Sequence, residues 1–291
     1  MKYHLILNPN AGRGRGKKVA PELKNLLFEK FGEIPVHYTL GTGDAQKIAA
    51  SLKAENCTII AAGGDGTIHE IVNGMMDGNC ILGIIPVGSG NDFVRMLNLP
   101  KNIKKAVGIL AAAKIMWMDI GKINGQYFPN GVGIGFDASV VIETLKVKKL
   151  RGFLIYLYSV FRALGRYKNQ TVTIHLNGKV ETKEIFMINV GNGQAMGGGF
   201  RLLPAARVDD GELDICIFRG LSKREVLLNL PKALNGRHIS LPQVQAYKTT
   251  CLVVESQEGI PVHADGELIS PRLKRIEIGI IPKGLQVIHD L

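Results

Sequence analysis

Short apolar runs alternate with amphipathic stretches over the first 120 residues. Tyr3 to Leu7, Val36 to Thr39, Thr58 to Ala62 and Ile81 to Ile85 are nearly continuous apolar runs. Between them Val19 to Phe31, Ala45 to Leu52 and Thr67 to Met76 space their apolar positions as helices do. Strands apolar on both faces suit a parallel sheet with helices on either side, so an open α/β domain is predicted. After Trp117-Met118-Asp119-Ile120-Gly121 the texture turns to period two, in Thr171 to Leu176, Ile185 to Val190, Leu213 to Phe218, Leu252 to Glu255 and Ile276 to Ile281. The second half is therefore predicted to be β-rich and sandwich-like. Helices are expected in it around Phe153 to Leu164 and Lys223 to Leu234. The predicted domains are 1–120 and 121–281. No internal repeat or low-complexity tract points to a solenoid or a tail.

Length is consistent with this division, since 291 residues exceed the usual ~100 to 200 of one domain. The 36 basic against 25 acidic residues leave a formal charge of +11, which favours anionic partners such as nucleotide, nucleic acid or acidic membrane. Aromatic residues are only 6% of the chain and do not interleave with the cations, which argues against a nucleic-acid platform. Cys57, Cys80, Cys216 and Cys251 lie far apart without metal spacing and read as reduced, buried thiols. Met1 to Leu7 lead straight into a core strand with no signal-peptide pattern, which favours the cytoplasm. The most apolar stretch, Phe153 to Phe161, is far short of the ~20 residues needed to span a bilayer.

The sharpest chemical signal is Gly63-Gly64-Asp65-Gly66-Thr67, between a strand and a helix. Ligands of open α/β sheets bind at the carboxyl ends of strands. Glycines let backbone approach a phosphate, and the helix start offers N–H groups to it. Asp65 among phosphates makes sense chiefly beside Mg²⁺; the plainer alternative is a strand-to-helix turn capped by Asp and Thr. A second glycine loop, Pro86-Val87-Gly88-Ser89-Gly90-Asn91-Asp92-Phe93, repeats the arrangement after the next strand. Asn8 to Lys18 form a third loop, with Arg13, Arg15, Lys17 and Lys18. It lacks the full dinucleotide or P-loop fingerprint and is weak alone. His69, beside the diglycine, is expected on the helix surface or in the core rather than in catalysis.

These residues resemble the diacylglycerol kinase catalytic-domain family, which includes bacterial lipid kinases and the sphingosine and ceramide kinases. The resemblance spans nearly the whole chain. It rests on Asn8-Pro9-x-x-Gly12, Gly63-Gly64-Asp65-Gly66-Thr67, Pro86-x-Gly88-Ser89-x-Asn91-Asp92-Phe93, Gly133-x-Gly135-Phe136-Asp137-Ala138, Gly197-Gly198-Gly199, Asp209-Asp210-Gly211-x-Leu213-Asp214 and Asp265-Gly266-Glu267. It implies an N-terminal ATP-binding domain completed by the last segment, 282–291, and a C-terminal lipid-binding domain. ATP contacts are implied for Asn8, Thr39, Gly64, Asp65, Gly66, Thr67 and Ser89. Asp65, Asp92, Asp119 and Asp265 would form an acidic network around Mg²⁺, with Asp65 counted beside Glu267 in catalysis. Glu267 would be the general base, although Asp265-Gly266 is also an ordinary hairpin turn. A separate structural Mg²⁺ would be held by the Asp210 side chain and the Arg207 and Glu212 carbonyls, against the alternative of a capped acidic turn.

The implied reaction is transfer of the ATP γ-phosphate to a lipid hydroxyl, with diacylglycerol the first candidate. The implied location is cytoplasmic, peripheral to the inner face of the membrane. Lys146, Lys148, Lys149 and Arg151 before the apolar stretch, with Arg162, Arg166 and Lys168 after it, suit docking on an anionic bilayer; a buried core helix with charged ends is the alternative. An NAD kinase shares the Gly-Gly-Asp-Gly-Thr element and is the nearest enzymatic rival; a silent nucleotide-binding membrane adaptor is another. One departure is Ala11 before Gly12, where many relatives carry Ser. The sequence leaves the lipid and the oligomeric state open, a homodimer being the commonest symmetric arrangement.

Overall fold

The computed structural model describes residues 2–147 and 153–291, in two compact units: Met1–Asp119 with Lys283–Leu291, and Ile120–Pro282. Unit 1 runs β1 (Lys2–Leu7), α1 (Ala11–Phe31), β2 (Val36–Tyr38), α2 (Asp44–Leu52), β3 (Cys57–Gly63), α3 (Asp65–Met75), β4 (Ile81–Pro86), α4 (Asp92–Met96), α5 (Ile103–Ala112) and the start of β5 (Ile115–Ile123). Its sheet is parallel from β2 through β4 to the returning segment. β2, β1, β3 and β4 lie side by side, and Gln286 and Val287 pair with Ile81 and Leu82 of β4. Every residue of β3 is buried, as a central strand covered on both faces requires. Leu5, Ile6 and Leu7 of β1 are fully enclosed, each worth about 1.5 to 3 kcal/mol relative to exposure. On one face α2 and α3 approach so closely that a Cβ on Gly74 would lie 2.2 Å from the Gln46 carbonyl oxygen.

The register aligns the carboxyl ends of three strands: Leu7 pairs with Ala62, and Gly63 with Pro86. The three glycine-bearing loops therefore leave the sheet from one edge. α1 begins irregularly, with positive φ at Gly12, Arg13 and Gly14, and only then becomes a regular helix.

Unit 2 continues with β6 (Gln126–Phe128), β7 (Gly131–Gly135), α6 (Phe136–Leu145), α7 (Phe153–Arg166), β8 (Gln170–Leu176), β9 (Lys179–Gly191), β10 (Leu213–Arg219), α8 (Lys223–Leu234), β11 (Val244–Thr249), β12 (Cys251–Ala264) and β13 (Glu267–Ile288). Its pairings between β6 and β12 are antiparallel, in the order β11-β10-β9-β7-β12-β13. β9 and β12 are long enough to pair with β8 near one end and β7 near the other, which wraps the strands around a core of Val132, Ile188, Val190, Val254, Val262 and Ile276. The hairpins turn at Asn124-Gly125, Asn177-Gly178 and Asp265-Gly266, all with positive φ at both residues, the conformation that matches the twist of the flanking strands. α6 and α7 build a second core with Phe186, Phe200 and Phe218 on the other side of β9 and β10. The α/β plus β-rich architecture follows the apolar patterning.

Candidate functional site

In unit 1 the three loops converge into one cradle. The Asn8 side-chain amide donates to Thr67 Oγ1 at 3.0 Å, tying the first loop to the start of α3. Val87 and Gly88 N–H both donate to the Gly63 carbonyl, at 2.9 and 3.0 Å. A Cβ on Gly12 would sit 2.3 Å from the Val87 oxygen, and one on Gly88 would sit 2.4 Å from Gly64 Cα. The glycines are there because backbone meets backbone. The N-cap of α3 is Gly64, which has no side chain of its own to cap it, so the helix start offers its partial positive charge to an anion. Ser89 is exposed on the cradle's rim, Thr39 is buried at the end of β2 with its N–H on the Leu7 carbonyl, and Arg13, Arg15, Lys17 and Lys18 are exposed on the first loop. Asn8, Thr39, Gly64, Gly66, Thr67 and Ser89 are thus carried by adjoining strand ends.

The acids of the expected Mg²⁺ network hold backbone N–H groups or a neighbouring cation. Asp65 Oδ2 accepts from Asn91 N–H at 2.8 Å, and Oδ1 from Phe93 N–H at 3.3 Å. It pins the second glycine loop at the start of α4. Asp92 pairs with Arg95, and Asp119 Oδ1 accepts from Lys283 N–H at 2.7 Å, holding the returning segment. In unit 2, Asp265 Oδ1 accepts from Asn130 and Gly131 N–H at 3.0 and 2.9 Å. Among the described residues no group of three or more His, Cys, Asp and Glu is arranged to hold a metal.

At the second expected metal site a lysine stands among the acids. The Lys248 ammonium engages Asp210 and lies 3.3 Å from Asp214 and 3.9 Å from Glu212, while Asp210 Oδ1 accepts from Glu212 N–H. Lys248 faces Asp214 across the β10–β11 ladder, so sheet register puts a cation among these carboxylates. Burial tends to lower the Lys248 ammonium, but bonds from Asp210 and Asp214 override it and hold it above its ordinary value. Burial raises the Asp214 carboxyl; Lys248 pulls it down, Asp210 and Glu212 push it up, and it stays above the usual range. With Arg207 and Glu212 on either side of Asp210, the positive charge that balances these acids is the Lys248 ammonium. Lys248→Met is expected to cost roughly 1 to 2 kcal/mol, the exposure of Lys248 moderating the loss. In thermal melts Mg²⁺ should recover part of that loss in the variant and leave the wild type unmoved; a rise in the wild-type midpoint with Mg²⁺ would contradict this assignment.

In unit 2 the tight turn at Asp265-Gly266 places Glu267 at the head of β13, exposed and paired across the hairpin with Ala264. Asp265 anchors the turn to the start of β7 as described, and its own N–H donates to the Gly131 carbonyl at 2.8 Å. Behind it lies a buried pair that the sequence reading missed: His263 Nε2 is 3.1 Å from Asp137 Oδ2, both 4% exposed. Burial would raise the Asp137 carboxyl, but His263, Tyr156 and Asn189 together hold it below its usual value. The Gly-Phe-Asp-Ala run and the His two residues before Asp265 were the available signals.

α7 is half-covered rather than fully buried. Val160, Ala163 and Leu164 face the core, whereas Leu154, Tyr158 and Phe161 are 61, 44 and 52% exposed, forming an apolar stripe on the other side. Lys146, Arg162 and Arg166 gather around Glu143 beside it. Lys148, Lys149 and Arg151 lie outside the described residues. Among the described residues no helix is long and apolar enough to cross a membrane. Of the cysteines, Cys57, Cys80 and Cys216 are free and buried; Cys251 is free but exposed, contrary to expectation. His69 lies half-buried on α3, its carbonyl accepting from Asn73.

The sequence profile of the diacylglycerol kinase catalytic domain matches residues 2–123, and that of the YegS C-terminal NAD kinase beta sandwich-like domain matches 130–289. The chain is 34% identical to a diacylglycerol kinase of Staphylococcus carnosus over 271 residues, covering 91% of this chain and 88% of that one. It is 35% identical to a diacylglycerol kinase of Bacillus subtilis over 273 residues, covering 91% and 89%. A solved diacylglycerol kinase from Bacillus anthracis shares the fold at TM-score 0.74 and 24% identity, covering 99% of this chain and 97% of that one. So does an Archaeoglobus fulgidus NAD kinase solved with ATP, at TM-score 0.56 and 12% identity over 99% and 93%. With both halves matched and relatives of nearly equal length, the chain belongs to the diacylglycerol kinase family and is a kinase.

Proposed function

We propose that the protein transfers the γ-phosphate of MgATP to the hydroxyl of a membrane lipid, most simply diacylglycerol, yielding phosphatidic acid. The observation that carries the reading is the cradle of unit 1, where the start of α3 at Gly64 adjoins Asn8, Thr67 and Ser89 at the strand ends. Such a site suits a polyphosphate, and the basic first loop adds charge to it. Mg²⁺ enters with the nucleotide as part of the substrate, neutralising phosphate charge.

Glu267 is the general base of this reading. As the lipid oxygen bonds to the γ-phosphorus, the bond from that phosphorus to the bridging oxygen of ADP breaks, and the hydroxyl proton passes to the Glu267 carboxylate. An alcohol is too weak an acid to ionise beforehand at neutral pH, so the proton leaves as the new bond forms. Two features of unit 2 favour a lipid over a soluble acceptor. One is the apolar stripe of Leu154, Tyr158 and Phe161, flanked by cations, which suits the surface of an anionic bilayer. The other is an apolar recess lined by Phe136, Phe200, Leu202 and Leu230, with Asp137, Asn229 and His238 among its polar residues.

The reading is tested by following labelled phosphate from ATP in mixed micelles containing anionic phospholipid and one acceptor at a time: diacylglycerol, sphingosine or undecaprenol. Labelled phosphatidic acid is the expected product. Label on another lipid would move the assignment within lipid kinases, and ATP binding without transfer to any acceptor would sink it.

A further inference from the structure

We propose that the buried Asp137–His263 pair is the positioning device of the Glu267 hairpin, acting by fixing the tautomer of His263. The proposal rests on the reading of Glu267 as base. Gly266 N–H donates to His263 Nδ1 at 3.2 Å, so Nδ1 must carry a lone pair and the ring proton sits on Nε2. That proton points at Asp137 Oδ2, 3.1 Å away. Asp137 is held in turn by Asn189 Nδ2, donating to Oδ2 at 2.8 Å, and by the Tyr156 hydroxyl, donating to Oδ1 at 3.2 Å. It also lies in the first turn of α6, where a negative charge is favoured. Space for the pair is made by Gly133, since a Cβ there would lie 2.3 Å from His263 Nε2 and 2.5 Å from Asp137 Oδ2.

The consequence lies one residue along the chain. Gly266 is the second residue of the turn and Glu267 the first of β13. The turn is held by Asp265 on one side and by His263 on the other, so the carboxylate of Glu267 projects from a backbone fixed at two points. A His263 ring protonated on Nδ1 would face the Gly266 donor with another donor. His263 and Asp137 do not touch the reacting atoms; they set where Glu267 stands.

Two substitutions separate this role from simple core packing. His263→Asn places an amide oxygen near the Nδ1 position and gives up the Asp137 contact; His263→Gln reaches Asp137 and leaves Gly266 N–H without its acceptor. The expected order of kcat is wild type, then Asn within about fivefold, then Gln lower by about 10- to 100-fold, with KM for ATP unchanged in both, since misplacing a reacting group by an ångström costs on that order. If the pair served only to satisfy buried Asp137, Gln would be the better replacement, and a Gln variant as active as Asn or more so overturns the proposal. Should both variants fail to fold, the wild type decides: in ¹⁵N-glycine-labelled protein the Gly266 amide should exchange at least about 100-fold more slowly than an unstructured amide, and unprotected exchange also overturns it. An inactive Glu267→Ala beside a fully active His263→Gln fails the positioning role alone. A fully active Glu267→Ala fails the base assignment, and the positioning role with it.

Discussion

Glu267→Ala is expected to lower kcat for lipid phosphorylation by about 10² to 10⁴-fold, the usual contribution of a positioned general base, while ATP affinity stays within about twofold. The separation of effects follows from placement. Glu267 is exposed at the head of β13 in unit 2, so its removal opens no cavity, and surface substitutions of that kind usually change stability by less than about 0.5 kcal/mol. The nucleotide cradle is built from unit 1 and does not depend on it. Rate assays at saturating ATP, with equilibrium ATP binding alongside, check the prediction. A variant within a factor of ten of wild type would mean that another group takes the proton.

Gly88→Ala should act the other way, abolishing ATP binding and weakening the fold. The added Cβ would lie 2.4 Å from Gly64 Cα and 3.0 Å from Asn91 Oδ1. The first contact is with backbone, so no rotamer change relieves it; the two glycine loops must separate by about an ångström to reach ordinary contact. That movement strains the Gly88 N–H bond to Gly63 and the two bonds from the second loop to Asp65. A loss of roughly 1 to 3 kcal/mol is expected, with ATP affinity reduced at least about 100-fold as the two loops part. Gly108→Ala is the natural control, since that α5 position has nothing within 4 Å of a new Cβ. Calorimetry on the two variants checks both parts, and unchanged ATP affinity in Gly88→Ala would show that the loops do not form the nucleotide site.

The strands of unit 1 were legible because burial on both faces leaves a continuous apolar run, as in Thr58 to Ala62. α2 was equally readable from Ala45, Ala49 and Leu52 at helical spacing. α6 was not, because its buried face includes Asp137 and Glu143, whose polarity hides the period. The acids show the limit most clearly. A carboxylate beside glycines does not show in sequence which backbone N–H groups it will accept, as Asp65, Asp119 and Asp265 do. Lys248 could not be foreseen among Asp210, Glu212 and Asp214, since only the β10–β11 register brings residues 34 to 38 positions apart into one cluster. The Asp137–His263 pair escaped for the same reason, its members being separated by 126 positions.

The most direct test of the central claim is a competition between acceptors: wild-type protein, MgATP labelled at the γ-phosphate, and diacylglycerol micelles and NAD present together, with both products quantified. The account predicts label in phosphatidic acid and none above background in NADP. Label in NADP with the lipid untouched would contradict it, placing the chemistry with the nucleotide kinases whose fold this chain shares.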